Sequence, residues 1–328
     1  MKAPNEPRSL LEAVRHYSDL DVCHAYMAKL KWPDGVIACP KCGAANVGFI
    51  ASRRMYQCKS QDCRKQFSVK VGTIFEDSPL GLDKWFVAVW CITNAKNGIS
   101  SCELARALKV TQKSAWFMLH RVRLAMKSKS FDKMGRNGIP VEADETFIGG
   151  LAHNMHKHVR ERRITGSGQS GKSVVMGLVE RRRGDKHSTV RAMVLPKHPS
   201  KLDIRDVVHK NVELGAHLMT DDNGAYRGLH CDFEHQLVNH LERYAEGMVH
   251  TNGIENFWSL FKRIYKGTYI HMSPQHLHRY VDEQAARFNI RKTDDSGRFQ
   301  SVMPQTIGRR IMYKELIGKV PSIADNAL

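Results

Sequence analysis

Asp144, Asp221 and Glu255 are three carboxylates placed where they could hold divalent ions. Breaking or joining a phosphodiester without an organic cofactor calls for two such ions ~3.5–4 Å apart, one at the attacking oxygen and one at the leaving oxygen. Carboxylate oxygens are hard ligands that suit magnesium. Asp144 falls in an alternating stretch: Ile139, Val141, Ala143, Glu145 and Phe147 share one strand face, and Glu142, Asp144 and Thr146 the other. Asp221 ends the short strand-like run from Ala216 to Thr220. Glu255 stands near the start of a helix beginning at Asn252, with Ile254, Phe257, Trp258, Phe261 and Ile264 on its apolar face. Lys262 follows Glu255 by seven residues, within ~20° of it around the axis. A cation there can hold a phosphate beside the metals. Each acid also has a plain structural reading. Asp144 fits a surface strand, Asp221 with Asp222, Asn223 and Gly224 fits a turn, and Glu255 with Asn252 fits a capping box. Asp222 competes with Asp221, and Asn252 and Asn256 with Glu255.

A second constellation is made of sulfur. Cys39 and Cys42 form one pair, and Cys58 and Cys63 another after fifteen intervening residues. Paired thiolates on tight turns converge on one tetrahedral Zn²⁺, and four of them leave no open position for chemistry. The zinc is therefore expected to be structural, one per chain. Cys23, Cys91, Cys102 and Cys231 are scattered and read as small apolar residues.

Between these groups lies a helix-turn-helix candidate, Ser100 to about Met126. Leu104, Ala105 and Leu108 fit a first helix, Lys109-Val110-Thr111 a turn, and Ala115, Trp116, Leu119 and Val122 the inward face of a second. That leaves Gln112, Lys113, Ser114 and Arg121 for DNA, the first three at the helix N-terminus where recognition helices meet base edges. An ordinary helical hairpin gives a similar pattern. Gly166 to Ser173 matches G-x-x-x-x-G-K-S, but a phosphate loop must leave a strand and open a helix. Here a charged run, His158 to Arg163, precedes it and a strand-like run, Val174 to Gly177, follows. It reads as a basic loop, and His153, His156 and His158 as solvated loop residues.

Lys and Arg total 51 against 33 Asp and Glu among 328 residues, a net +18. That surplus points to a polyanion partner, most simply nucleic acid. The longest apolar run, Trp85 to Ile92, is far below the ~20 residues that span a bilayer. A cytoplasmic, nucleoid-associated protein is expected. Further elements read as a helix at Leu82–Ala95, a linker at Phe131–Gly138, strands at Ser173–Val179 and Thr189–Leu195, and a helix at Asp203–Glu213. The mixture is an α/β domain behind two small DNA-handling modules. The expected boundaries are 1–73 for an N-terminal helix and zinc ribbon, 74–130 for the helix-turn-helix region, 139–292 for the catalytic domain and 293–328 for a tail that carries no signal.

Three segments, Val141–Gly150, Thr220–Gly228 and His250–Arg263, together with the zinc ribbon and Gly267–His271, resemble the ISXO-type insertion-sequence transposases over about residues 15–292. The resemblance implies a ribonuclease-H-like fold with an Asp-Asp-Glu triad at Asp144, Asp221 and Glu255, and Mg²⁺ as cofactor. It implies inverted-repeat DNA ends as substrate, with no covalent enzyme–DNA intermediate. On this reading the protein nicks the element ends, and each freed 3′-OH attacks target DNA at the same two Mg²⁺ ions, with a homo-oligomer assembled on DNA. A non-transposing nuclease of the same fold, or a DNA-binding regulator with an inactive catalytic domain, are the rival functions.

Overall fold

A computed structural model describes residues 6–128, 132–149, 155–163, 171–181, 184, 187–197, 199–238 and 250–319. They fall into two compact units, Met1–Lys127 joined by Thr293–Leu328, and Ser128–Lys292.

The first unit begins with two helices, not one. Ser9 caps α1 (Leu10–Tyr17), and Asp19 caps α2 (Leu20–Lys31), so local capping splits the expected N-terminal helix at Ser18–Asp19. Three short antiparallel strands follow: β1 (Val47–Ile50), β2 (Met55–Cys58) and β3 (Gln66–Ser68), in that order across the sheet. Helix α3 (Leu82–Asn94) buries Leu82, Trp85, Phe86, Ala88, Val89, Trp90 and Ile92, an all-round apolar pattern that suits a central helix. Ser100 and Glu103 close a capping box on α4 (Ser101–Leu108). Lys109 turns the chain at a φ of 48°, and Thr111 caps α5 (Gln112–Met126).

The second unit is organised around a five-stranded sheet. Its elements are β4 (Val141–Ile148), α6 (Lys157–Arg163), β5 (Ser173–Glu180), β6 (Thr189–Val194), α7 (Lys201–Asn211), β7 (His217–Asp221), β8 (Glu234–Val238), α8 (Asn252–Ile264) and α9 (Leu277–Ile290). The strand order is β6-β5-β4-β7-β8. β6, β5 and β4 run antiparallel in succession, whereas β7 and β8 run parallel to β4. One sheet face packs Val141, Ala143, Met176 and Leu178 against Ile204, Val208 and Val212 of the α7 segment. The other packs Val175, Val179 and Val190 against Ile254, Phe257, Trp258 and Phe261 of α8 and Leu277, Val281 and Phe288 of α9. β4, central in the sheet, is covered on both faces.

Several expectations need revision. Phe131, Gly166 and His153 lie outside the described residues. The rest of the expected linker is not free: Met134 is 4% exposed, its N–H donates to Asn211 O and its carbonyl accepts from Glu213 N. The stretch expected as a charged loop contains the helix α6. The glycine-rich run does lead into a strand, β5, which is not the helix start that a phosphate loop requires. β8 was not legible, because as an edge strand it carries Glu234, His235 and Gln236 in place of an apolar run.

The C-terminal segment returns to the first unit through α10 (Asp295–Val302) and α11 (Tyr313–Leu316). Phe299 is 1% exposed, with ring centroids 5.2 Å from Tyr17 and 5.5 Å from Trp90. Gly308 N donates to Gly72 O, and the Arg309 guanidinium to the carbonyls of Leu124 and Lys127 at the end of α5. No helix among the described residues is long and apolar enough to cross a membrane.

Candidate functional site

The four paired cysteines converge. Their sulfurs all lie within 4.8 Å of one another, with Cys39 Sγ to Cys63 Sγ and Cys42 Sγ to Cys58 Sγ each 3.6 Å. A tetrahedron with Zn–S spokes of ~2.3 Å has edges of ~3.8 Å, so this spacing fits one zinc. A disulfide would need ~2.05 Å. Gly43 turns the chain after the first pair at a φ of 74°, and its N–H donates to Cys39 O.

Two of the acids meet where the parallel pairing of β4 with β7 stops, midway along β4 and at the carboxyl end of β7. Val141, Glu142 and Ala143 of β4 pair with Leu218, Met219 and Thr220 of β7. The ladder stops there, with Asp144 and Asp221 next on each strand. Asp144, Asp221 and also Glu145 bring a carboxylate oxygen each within 4.8 Å of the others. Asp222 is exposed and stands outside this cluster. Glu145 was expected to point to the opposite strand face and away from the site. Its Cβ does lie on the other face, but β4 has no β7 partner beyond Ala143, so carboxylates from both faces reach the open edge. Tyr226 Oη donates to Glu145 Oε2 at 2.7 Å. Glu145 Oε1 is buried without a hydrogen-bond partner among the described residues. A buried, unmet carboxylate oxygen among hard oxygen donors fits a divalent cation.

Charge crowding is visible in the proton affinities. Burial, then the charge of Asp221, raises the Asp144 carboxyl to about 6, against the N–H donors of Glu145 and Trp258. Burial likewise raises Glu145 to about 7, opposed by the Tyr226 hydroxyl.

Glu255 is on α8, outside the three-carboxylate cluster but across a cleft of about 510 Å³ from it. Asp144, Glu145, Trp258, Lys262, Arg263 and Lys266 also line this cleft. Glu255 Oε1 accepts from Thr251 Oγ1 at 2.9 Å. Neither Asn252 nor Asn256 lines the cleft. A second depression on the α7 side is lined by Asp221, Ser200, Lys201 and Asn223 together with Asp144 and Glu145.

What docks α8 onto β4 was missed in the sequence. Glu142, two residues before Asp144, is 1% exposed. Its Oε2 accepts from Ile254 N at 2.9 Å in the first turn of α8, and its Oε1 from Arg181 Nε at 2.7 Å. Arg181 also donates to His250 O at 2.6 Å. The carboxylate thus satisfies an N–H that a helix leaves without an internal partner. Glu142→Ala leaves Arg181 without its carboxylate in a mostly buried position, and is expected to destabilise the second unit by about 3–5 kcal/mol. Denaturant midpoints of the full chain measure this, and Glu142→Gln should recover part of the loss. An unchanged midpoint for Glu142→Ala would remove the clamp from the account.

On α5, Gln112 and Lys113 are exposed and Ser114 is partly so. Gln112 Nε2 donates to Ser101 Oγ at 2.8 Å, and the Lys113 ammonium lies 4.8 Å from the Tyr313 ring centroid. Arg121 departs from expectation. It is 4% exposed, and its guanidinium donates to Ile74 O at 2.8 Å and Glu76 O at 2.7 Å. It is a structural residue, not a surface contact, because the later turns of α5 are buried all round.

Residues 137–289 match the ISXO2-like transposase domain, and residues 19–66 match the transposase zinc-ribbon domain. A protein of Halobacterium salinarum described as an uncharacterized protein in transposable element ISH50 is 29% identical over 250 residues, covering 72% of this chain and 80% of that one. No solved structure matches. The chain thus carries an ISXO2-like transposase domain over the acidic cleft and a transposase zinc-ribbon domain over the cysteine cluster.

Proposed function

We propose that this chain is a transposase that binds the ends of its insertion sequence, nicks DNA there, and joins the resulting 3′-OH ends to target DNA. The carrying observation is the juxtaposition of Asp144 and Asp221 where the parallel strands β4 and β7 stop pairing, with Glu255 across a cleft that also holds Lys262. The sheet order, three antiparallel strands continued by two parallel ones, supports a ribonuclease-H-like reading of residues 139–292. Asp144, Asp221 and Glu255 are proposed as the ligands of two Mg²⁺ ions, with Glu145 close enough to share in holding them. When bound, such ions supply the positive charge that activates a nucleophile and steadies a leaving oxygen. The residues' own work is to hold and orient. Lys262, Arg263 and Lys266 line the cleft as cations for phosphates, and the partial burial of Asp144 and Glu145 weakens the screening of these carboxylates by water.

The first unit is proposed to hold the DNA ends. Its zinc ribbon, and α4–turn–α5 read as a helix-turn-helix over residues 74–130, offer Gln112, Lys113 and Ser114 at an exposed helix start. The net +18 favours phosphate contact in general.

The test is strand transfer by the full chain in Mg²⁺, using labelled pre-cut end DNA and a plasmid target. Labelled ends covalently joined to plasmid are the expected product. Hydrolysis without joining would leave a nuclease of the same fold, and end binding with neither reaction would leave a DNA-binding regulator.

A further inference from the structure

We propose that Trp258 is a positioning residue for the metal site, and that Gly177 exists as glycine to admit it. This rests on the metal-site reading of Asp144. The Trp258 indole Nε1 donates to Asp144 Oδ2 at 3.0 Å. The opposite carboxylate oxygen, Oδ1, accepts from Glu145 N at 2.8 Å. Both oxygens of Asp144 are therefore gripped by N–H donors, which fixes the plane of the carboxylate. The unused lone pairs then face a set direction. Donors of this kind behind a metal-binding carboxylate set its orientation.

The indole can reach Asp144 because of the strand opposite. Asp144 on β4 pairs in register with Gly177 on β5. A Cβ at Gly177 would sit 2.7 Å from Trp258 Cζ2, 2.9 Å from Cη2 and 2.6 Å from Ile254 Cδ1. Any side chain there lifts the ring off the sheet. Glycine inside a strand weakens it and commonly marks a close approach. Here the approaching group is the six-membered half of the indole, whose position fixes the N–H. Trp258 is 3% exposed and packs beside Phe257, ring centroids 5.0 Å apart, so the ring has little freedom once seated. It also lies three residues after Glu255, so the same seating sets where Glu255 stands relative to Asp144.

The test is calorimetric titration of Mn²⁺ into the zinc-loaded full chain, with Asp144→Ala/Asp221→Ala as the blank. Trp258→Phe keeps an aromatic ring and removes the donor, and Mn²⁺ affinity is expected to fall about tenfold. Replacing Trp258 by its benzothienyl isostere, which puts sulfur where the N–H was, should give a similar loss without changing ring size. That variant decides the matter if Trp258→Phe does not fold. Gly177→Ala should also cost about tenfold, but little more once Trp258→Phe is present, because the displaced N–H is already gone. A purely structural role would lower the melting temperature and leave Mn²⁺ affinity untouched well below it. Wild-type affinity in the benzothienyl variant overturns the proposal. So does a Gly177→Ala loss that multiplies in full with Trp258→Phe. If the wild type itself matches the blank, the metal-site reading fails and takes this inference with it.

Discussion

Asp144→Asn and Asp221→Asn are each expected to lower nicking and strand transfer by at least on the order of a thousandfold, while DNA-end binding by the full chain stays close to wild type. Each change keeps the side chain's size and removes the charge that holds a divalent ion. Losing one ligand removes several kcal/mol of stabilisation from the charged transition state, and ~1.4 kcal/mol is a factor of ten in rate. Glu255→Gln should behave alike, since it is the acid facing the cluster across the cleft. Glu145→Gln is expected to fall between, about ten- to a hundredfold down, because its carboxylate joins the cluster. Asp222→Ala is the control that should retain activity, being exposed and outside the cluster. Gel retardation reports binding, and the pre-cut-end assay reports joining. Full joining activity in Asp144→Asn would discard the two-metal reading. Loss in Asp222→Ala with retention in Asp221→Asn would move the second ligand by one residue.

Glu145 shows where strand periodicity stops being informative. Alternation correctly separated Glu145 from Asp144 at the level of Cα–Cβ direction. It could not show that β7 ceases to pair after Ala143, and so it could not show that side chains from both faces share the open edge. Glu142 was invisible for a related reason. A glutamate on an alternating strand looks solvent-facing until the helix N-terminus and arginine that bury it are known, and those lie 112 and 39 residues away in sequence. Trp258 was read as apolar face, as it is, but its second role depends on a glycine in another strand.

The first unit departs from expectation at Arg121 and in its C-terminal return. A charge on a helix is assigned to solvent when nothing else covers that face. Arg121 is instead enclosed, with Ile74 and Glu76 carbonyls on its guanidinium and its ring contact to Phe117 at 4.5 Å. Phe299 completes a core with Tyr17, 282 positions earlier, and with Trp90, from a helix too short to show a clear amphipathic repeat. What could be read were features carried within one stretch: the cysteine spacing, the caps of α4 and α5, the alternation of β4 and the apolar face of α8. Features requiring two distant stretches could not, apart from the grouping of Asp144, Asp221 and Glu255 that the resemblance implied.

Loss of zinc should have the other large effect, and it should be confined to the front of the molecule. The three ribbon strands hold three or four residues each, and their sheet buries only a few side chains of its own, chiefly Tyr56 and Phe67 besides Cys39 and Cys58. A core that small does not offset the conformational entropy of ordering its loops. A structural zinc on four thiolates contributes on the order of 10 kcal/mol, which is folding free energy for a module of this size. Wild-type protein should therefore contain about one zinc per chain by atomic emission, retained through washing that strips Mg²⁺. The double variant Cys39→Ser with Cys58→Ser should contain none, and protease should cut it between residues 39 and 68 where the wild type resists. Its DNA-end binding should drop with the ribbon. The thermal transition of the second unit should persist, because that unit has its own two-faced sheet core and contains none of the four cysteines. Equal zinc in variant and wild type would show that the metal is held elsewhere. Zinc lost with no new cleavage in the ribbon would show that the three strands fold without it.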